Sequence, residues 1–294
     1  MVSRVSTPRA TRLGQPAAKN CKTLSLEPLR LHLMTKHFIS RISVLSLACL
    51  SLLNAGIAQT ADAKDASSNS IVVLVSIDGL AHYYLDDPKA EMPTLRRLAK
   101  EGARAKMMKA SMPSVTWPNH TTLVTGVNPA KHGVIGNSFY DREKAEVVQL
   151  IVDPVFNKEE IVTSPTIYDL AKKAGLKTAS ILWPATRGAP TLDWVLPEVG
   201  TQELINQYST PGLLQEFEEA GIAHQMNLEW RGQNKGRERD RLFMQMFLHV
   251  IRTHKPNVAL LHLVELDHVE HAHGPQSPEA YSIAKFEDGL IAEI

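Results

Sequence analysis

The 294 residues include 32 basic and 31 acidic side chains, a formal charge of +1, with 44% hydrophobic and 21% charged residues. This is the composition of a globular chain and excludes a disordered or fibrous one. So even a balance gives no broad electrostatic footprint for nucleic acid or an anionic membrane, and phosphate chemistry, if present, must come from a local site.

Residues 1–33 are basic and polar without apolar periodicity, and read as a non-native upstream extension or a disordered leader. From Met34 a short basic stretch (Lys36, His37, Arg41) precedes an apolar run, Ile42–Leu53, and then small residues through Ala55, Gly56 and Ala58. That is the layout of a secretory signal peptide over 34–58, with Met34 as the expected true start. The run is interrupted by Ser43, Ser46 and Ser51 and falls short of the ~20 apolar residues a membrane span needs, so no permanent anchor is expected, an uncleaved anchor being the alternative. Export to the periplasm or the exterior follows. Cys21 and Cys49 both precede the expected cleavage point, so the mature chain would hold neither thiol nor disulfide. Residues 59–70, rich in Ala, Asp, Ser and Asn, read as a linker into one folded region, 71–294.

Within that region, Ile71–Ile77 is a β-branched run apolar on both faces, as in a central parallel strand. A helix is expected from about Pro93 to Lys100, with Leu95, Leu98 and Ala99 inward and Gly102 as its stop. Another is expected over 166–174 (Ile167, Leu170, Ala171), then a strand over 178–183. Residues 240–253 form an amphipathic helix with Leu242, Phe243, Met246, Phe247, Val250 and Ile251 on one stripe, followed by a buried strand over 258–264. Strands alternating with helices predict an α/β fold with a mainly parallel sheet, whose ligands gather at the carboxyl ends of the strands.

Two acidic residues fall just past strand ends, Asp78 and Asp267. Asp78 suits a hard or borderline cation, although Asp-Gly is also a common turn dipeptide. Thr116 lies at or just before the start of a helix opened by Pro118 and closed by Gly126. Free N–H groups and the helix dipole there favour an anion, so a phosphoryl group could dock beside the hydroxyl; the plainer reading is a helix N-cap. A threonine hydroxyl is a weak nucleophile, and metal coordination is one way to activate it. Donors for a metal stand in Glu265-Leu266-Asp267-His268-Val269-Glu270-His271-Ala272-His273. Asp267 and His271, four apart, can reach one cation with an oxygen and a nitrogen donor, a set suited to zinc, whereas His268 and His273 read as outer or solvated.

In order and spacing these stretches resemble the nucleotide pyrophosphatase/phosphodiesterase family of the alkaline phosphatase superfamily. The resemblance rests on Ser76-Ile77-Asp78-Gly79, Met92-Pro93-Thr94-Leu95, Thr116-Trp117-Pro118-Asn119-His120 with Thr125-Gly126, His132-Gly133-Val134-Ile135-Gly136-Asn137, Trp183-Pro184 and Asp267-x-x-x-His271-x-x-Gly274-Pro275. It implies an alkaline-phosphatase-like, mostly parallel central sheet flanked by helices. It also implies two divalent metal ions, most readily zinc, one held by Asp78 and Thr116 and the other by Asp267 and His271. Asn119 would donate to a nonbridging phosphate oxygen. The implied reaction is hydrolysis of a small-molecule phosphodiester or pyrophosphate of nucleotide type through a phospho-threonine at Thr116. A phosphomonoesterase or phosphonate hydrolase on the same site is the alternative, although such relatives add basic side chains over the phosphate that these motifs do not show. Sulfatases of the superfamily use a modified cysteine or serine, and Thr116 argues against that branch.

The chain departs from the pattern in one respect. Family members carry a further Asp-His pair and a last histidine downstream, and no Asp-His-Gly triplet follows His271. The expectation is therefore a member whose C-terminal part is missing, with an exposed edge strand and too few protein ligands for each zinc, or an inactive remnant. The segment 185–239, with Trp194, Tyr208, Trp230 and several arginines, fits a substrate pocket or plain cover for the sheet equally well.

Overall fold

The computed structural model describes residues 70–151, 156–222 and 236–294, all in the unit Gln59–Ile294. The upstream extension, the signal peptide with Met34, both cysteines, the linker as far as Asn69, and Trp230 lie outside the described residues.

The chain is mixed α/β. Strand β1 (Val72–Ile77) leads through a 3-10 turn at His82–Leu85 to helix α1 (Pro93–Glu101), which opens on Pro93. Helix α2 (Thr116–Thr125) ends at Gly126, whose φ of 69° gives the left-handed stop. A short helix α3 (Pro129–His132) and an antiparallel hairpin of β2 (Ser138–Asp141) and β3 (Glu146–Gln149) follow. Then come α4 (Lys158–Ile161), α5 (Ile167–Lys173), β4 (Thr178–Ile181), β5 (Trp194–Leu196), α6 (Gln202–Tyr208) and α7 (Leu213–Glu219). The long helix α8 (Arg237–His254), β6 (Val258–Leu263), α9 (Glu265–His273) and α10 (Pro278–Ile291) complete the described chain.

Four strands form one parallel sheet in the order β1-β6-β4-β5. Strand β6 is covered on both faces, which is why its sequence is a nearly continuous apolar run rather than an alternating one. Ala179, Ile181, Leu261 and Leu263 pack against Phe243, Met246, Phe247 and Val250 of α8. On the opposite face Val195 and Leu260 meet Val124 of α2, Tyr168 of α5 and Trp183. Each large apolar side chain fully buried here contributes about 1.5–3 kcal/mol. Sandwiching β6 between β1 and β4 aligns their carboxyl ends, so the residues that follow β1 and β6 emerge side by side.

The expected elements are present with three adjustments. Strand β4 stops at Ile181 because Leu182 takes a φ of 57°, outside the extended region. Leu98 does not point inward but is exposed, lining an apolar groove with Val73, Val75, Leu95 and Ile291 along β1, which among the described residues is one of the sheet's two edge strands rather than the central strand expected. On α5 the buried pair is Tyr168 and Ala171, one turn apart, while Ile167 and Leu170 are exposed. The Thr166 side chain accepts from Asp169 N, and Asp169 in turn holds buried Lys158 at 2.7 Å; these bonds fix how far that helix is rotated.

Candidate active site

Asp78 is the first residue after β1, and its N–H donates to Leu263 O at 2.9 Å, tying the end of β1 to the end of β6. Gly79 follows with a φ of +80°, and its bare α-carbon lies against α9. A β-carbon there would stand 3.0 Å from Asp267 Cα and N and 2.9 Å from Glu270 Oε2, so only glycine lets the Asp78 turn approach the helix bearing Asp267.

Thr116 is the first residue of α2. Val115 occupies the N-cap position and no side chain caps it, so the N-cap reading of Thr116 does not hold. Its Oγ1 instead donates to Asp78 Oδ2 at 3.1 Å. Asn119, one turn on, is committed to the preceding loop. Its Oδ1 accepts from Ser111 N at 2.7 Å, and its Nδ2 donates to the carbonyls of Val115 (2.9 Å), Pro113 (3.2 Å) and Ser111 (3.4 Å).

Asp267 and His271 share one face of α9, with Oδ2 and Nε2 3.4 Å apart; the histidine is largely solvent-exposed. His268 turns aside to Arg239, at 2.9 Å, and Glu265. Glu270, between the pair, accepts from the Tyr84 hydroxyl at 2.5 Å.

Three residues that the sequence reading gave no role complete the site from behind. His262, fully buried on β6, donates from Nδ1 to Leu182 O (3.2 Å) and from Nε2 to Asp78 Oδ2 (3.4 Å). His120 lies beside it, ring centroids 4.2 Å apart, and donates from Nδ1 to Thr116 O at 2.8 Å. Glu198, just past β5, is buried near His262, Asp78 and Arg239. A signal for His262 did exist: it is the one polar side chain within the apolar run 258–264.

These contacts set the charges. Burial opposes ionisation of Asp78, but the hydrogen bond and charge of His262, helped by Thr116, draw its pKa down to about 2. Burial would push His262 down, yet the Asp78 carboxylate and the charge of Glu198 hold it above its ordinary value. His120 is driven to about 3 by burial and by its neighbour His262, and is neutral. Burial, and then the charge of Asp78, raise Asp267; burial and the charge of Asp267 raise Glu270. Carboxylates from β1 and α9 are thus crowded together with charge left uncompensated on the α9 side. Among the described residues no three His, Cys, Asp or Glu side chains come together as a ready metal cage, so the expected donors form two pairs.

A family model described as type I phosphodiesterase / nucleotide pyrophosphatase matches residues 72–294. Human ectonucleotide pyrophosphatase/phosphodiesterase family member 1 is 29% identical over 219 residues, 74% of this chain and 20% of that protein. Rat family member 3 is 36% identical over 115 residues, 39% of this chain and 13% of its own. Among solved structures, inactive murine ectonucleotide pyrophosphatase/phosphodiesterase 5 in complex with AMP superposes with a TM-score of 0.53 at 20% identity, covering 76% of this chain and 51% of that one. Phosphonoacetate hydrolase from Sinorhizobium meliloti, in complex with phosphonoacetate, gives 0.52 at 20% identity, covering 77% and 53%. The solved structures bear out the expected alkaline-phosphatase-like α/β fold. The chain spans about a fifth of the human relative's length and about half of the solved ones.

Proposed function

The chain belongs to the type I phosphodiesterase / nucleotide pyrophosphatase family, and from that premise we propose that it hydrolyses phosphodiester or pyrophosphate bonds of small nucleotide-type substrates, with Thr116 as nucleophile. One observation carries this reading above the others. The Thr116 hydroxyl, released from capping by the backbone of Val115, points at the Asp78 carboxylate at 3.1 Å.

The donors fit divalent cations. Asp78 and Thr116 offer two oxygens, Asp267 and His271 an oxygen and a nitrogen, and the mutual repulsion of Asp78 and Asp267 is what positive charge between them would relieve. Zinc takes four ligands, so each pair supplies half a set; the remainder would come from water, substrate oxygens or the downstream Asp-His pair and histidine that the family resemblance implies. When bound, such cations lower the pKa of a coordinated hydroxyl and offset charge on the phosphate and leaving oxygens. That help is needed, because Asp78, with its pKa near 2, is too weak a base to take the Thr116 proton.

Thr116 Oγ would then form a bond to phosphorus as the bond to the leaving oxygen breaks, its proton ending on the leaving group or in solvent, and water would cleave the phospho-threonine to regenerate the hydroxyl. Its position in the first turn of α2 sets the phosphoryl oxygens at the positive end of the helix dipole, although the Trp117 N–H there is already held by Asn137 Oδ1 at 2.9 Å and Pro118 has none. Asn119 would lend Nδ2 to a nonbridging oxygen by exchanging one of its loop carbonyls. Export fits the same reading, since the human and rat relatives are named as ectonucleotide enzymes.

Hydrolysis of a p-nitrophenyl diester, set beside the matching monoester and a phosphonate, tests the proposal. Diester turnover that is abolished by Thr116→Ala and by chelation supports it; undiminished turnover in Thr116→Ala removes the nucleophile from its role. Faster monoester or phosphonate turnover would move the chain to the alternative chemistry, which the phosphonoacetate hydrolase fold accommodates.

A further inference from the structure

Helix α9, which carries Asp267 and His271, is capped entirely from outside. Its N-cap residue, Val264, has no side-chain oxygen, so the N–H groups of the first turn need acceptors from other elements. Asp240, on the first turn of α8, accepts from Val264 N and Glu265 N, each at 3.0 Å. Glu287, on α10, accepts from Leu266 N at 3.1 Å. Both carboxyls are fully buried and are in contact with each other. Burial, and then the charge of Asp240, hold Glu287 well above the usual carboxyl range, and burial raises Asp240 as well. Two bare carboxylates cannot share a dry contact, so the pair retains a proton between them. A proton on Glu287 lets it donate to Asp240, which favours the neutral form of Glu287 and the charged form of Asp240. The unit then presents one negative charge to the positive end of α9.

We propose that Asp240 and Glu287 act together as a clamp on the first turn of α9 that positions it, and through it the Asp267–His271 donor pair, against the Asp78 turn. This rests on the reading of Asp267 and His271 as cation donors. The clamp is a positioning device: neither carboxyl touches the reacting atoms, and each acts through the backbone at the foot of α9. Asp288, the next residue of α10, supplies an internal control. It is equally buried and caps α1 through Thr94 N (2.9 Å) and Leu95 N (2.8 Å), and α1 carries none of the donors.

The test compares Glu287→Ala, Glu287→Gln and Asp288→Ala in the 294-residue chain. Two quantities are read, amide hydrogen exchange at Glu265 and Leu266, and calorimetric binding of Zn2+ alone. Glu287→Ala is expected to speed exchange at both amides and to weaken Zn2+ binding about tenfold, the scale of lost support behind a ligand. Glu287→Gln, whose amide accepts from Leu266 and donates to Asp240, restores both. Asp288→Ala lowers thermal stability and changes neither. Equal effects of Glu287→Ala and Asp288→Ala, or no rescue by Glu287→Gln, would overturn the proposal. Should Glu287→Ala not fold, Glu287→Met fills the volume without an acceptor and replaces it. A wild-type chain that takes up no Zn2+ sinks the donor reading by itself. The clamp is then decided by exchange: protection lost in Glu287→Ala alone upholds it, and equal loss in both variants refutes it.

Discussion

Gly79 and Asp267, 188 positions apart, pack so closely that a β-carbon on the glycine would stand 3.0 Å from the aspartate's Cα and N. The contact brings the Asp78 carboxylate, at the end of β1, up to the helix that follows β6. Gly79→Ala must therefore both hold a left-handed φ and push α9 away, at a combined cost of about 2–3 kcal/mol. Urea unfolding should show that loss, and Zn2+ affinity should fall with it. A variant that kept full affinity would separate the turn from the donor pair.

His262→Phe preserves volume but leaves Asp78 and Leu182 O without their donor. The sign of its pH dependence can be worked out from both partners. The depressed pKa of Asp78 gives stability that is full above the unfolded carboxyl value of about 4 and is lost as pH falls toward 2. The raised pKa of His262 gives stability that is full below the unfolded imidazole value of about 6.5 and is lost as pH climbs through the higher folded value. The stability gap between wild type and variant should thus be widest, about 1–3 kcal/mol, between pH 4 and 6.5, and narrow on both sides. Denaturant melts across pH 3–9 measure it; a flat gap would mean the two groups are not linked.

Glu198 behaves in the opposite sense. Burial pushes its pKa up to about 7, so the folded state keeps a proton that the unfolded state releases near pH 4.5, and stability declines as pH rises between those values. Glu198→Gln removes that slope. It should match wild type within about 1 kcal/mol at pH 5 and exceed it by roughly 2 kcal/mol at pH 8. Parallel pH profiles for the two proteins would show that Glu198 ionises at its ordinary value.

Asn119 can be read through its loop. Asn119→Ala removes four of the bonds that tie residues 111–115 to the helix of Thr116, leaving Ser111 Oγ on Thr122, and Asn119→Asp keeps the acceptor for Ser111 N while setting a carboxylate against three carbonyls. The aspartate variant should be the less stable, by about 1–2 kcal/mol, and the Ser111 amide should lose exchange protection in the alanine variant only. If diester turnover falls in both while the loop stays protected, the amide serves the phosphate directly.

The sequence by itself determined the parallel α/β plan, because strands buried on both faces must be continuous apolar runs and a stripe of period 3.6 fits only a helix. It also singled out the residues past the strand ends, Asp78 and Asp267, and the hydroxyl at the head of α2, since strand and helix ends are legible from local chemistry. What only the tertiary structure decided is which groups meet. That the Thr116 hydroxyl serves Asp78 rather than its own helix depends on where α2 docks on the sheet, through Val124 against Leu260. That Leu98 faces an open groove depends on where α1 docks. The buried partners His262, His120, Glu198, Asp240 and Glu287 lie on five separate elements or loops; no local pattern relates them, because burial and proton sharing are properties of packed neighbours and have no period along a chain.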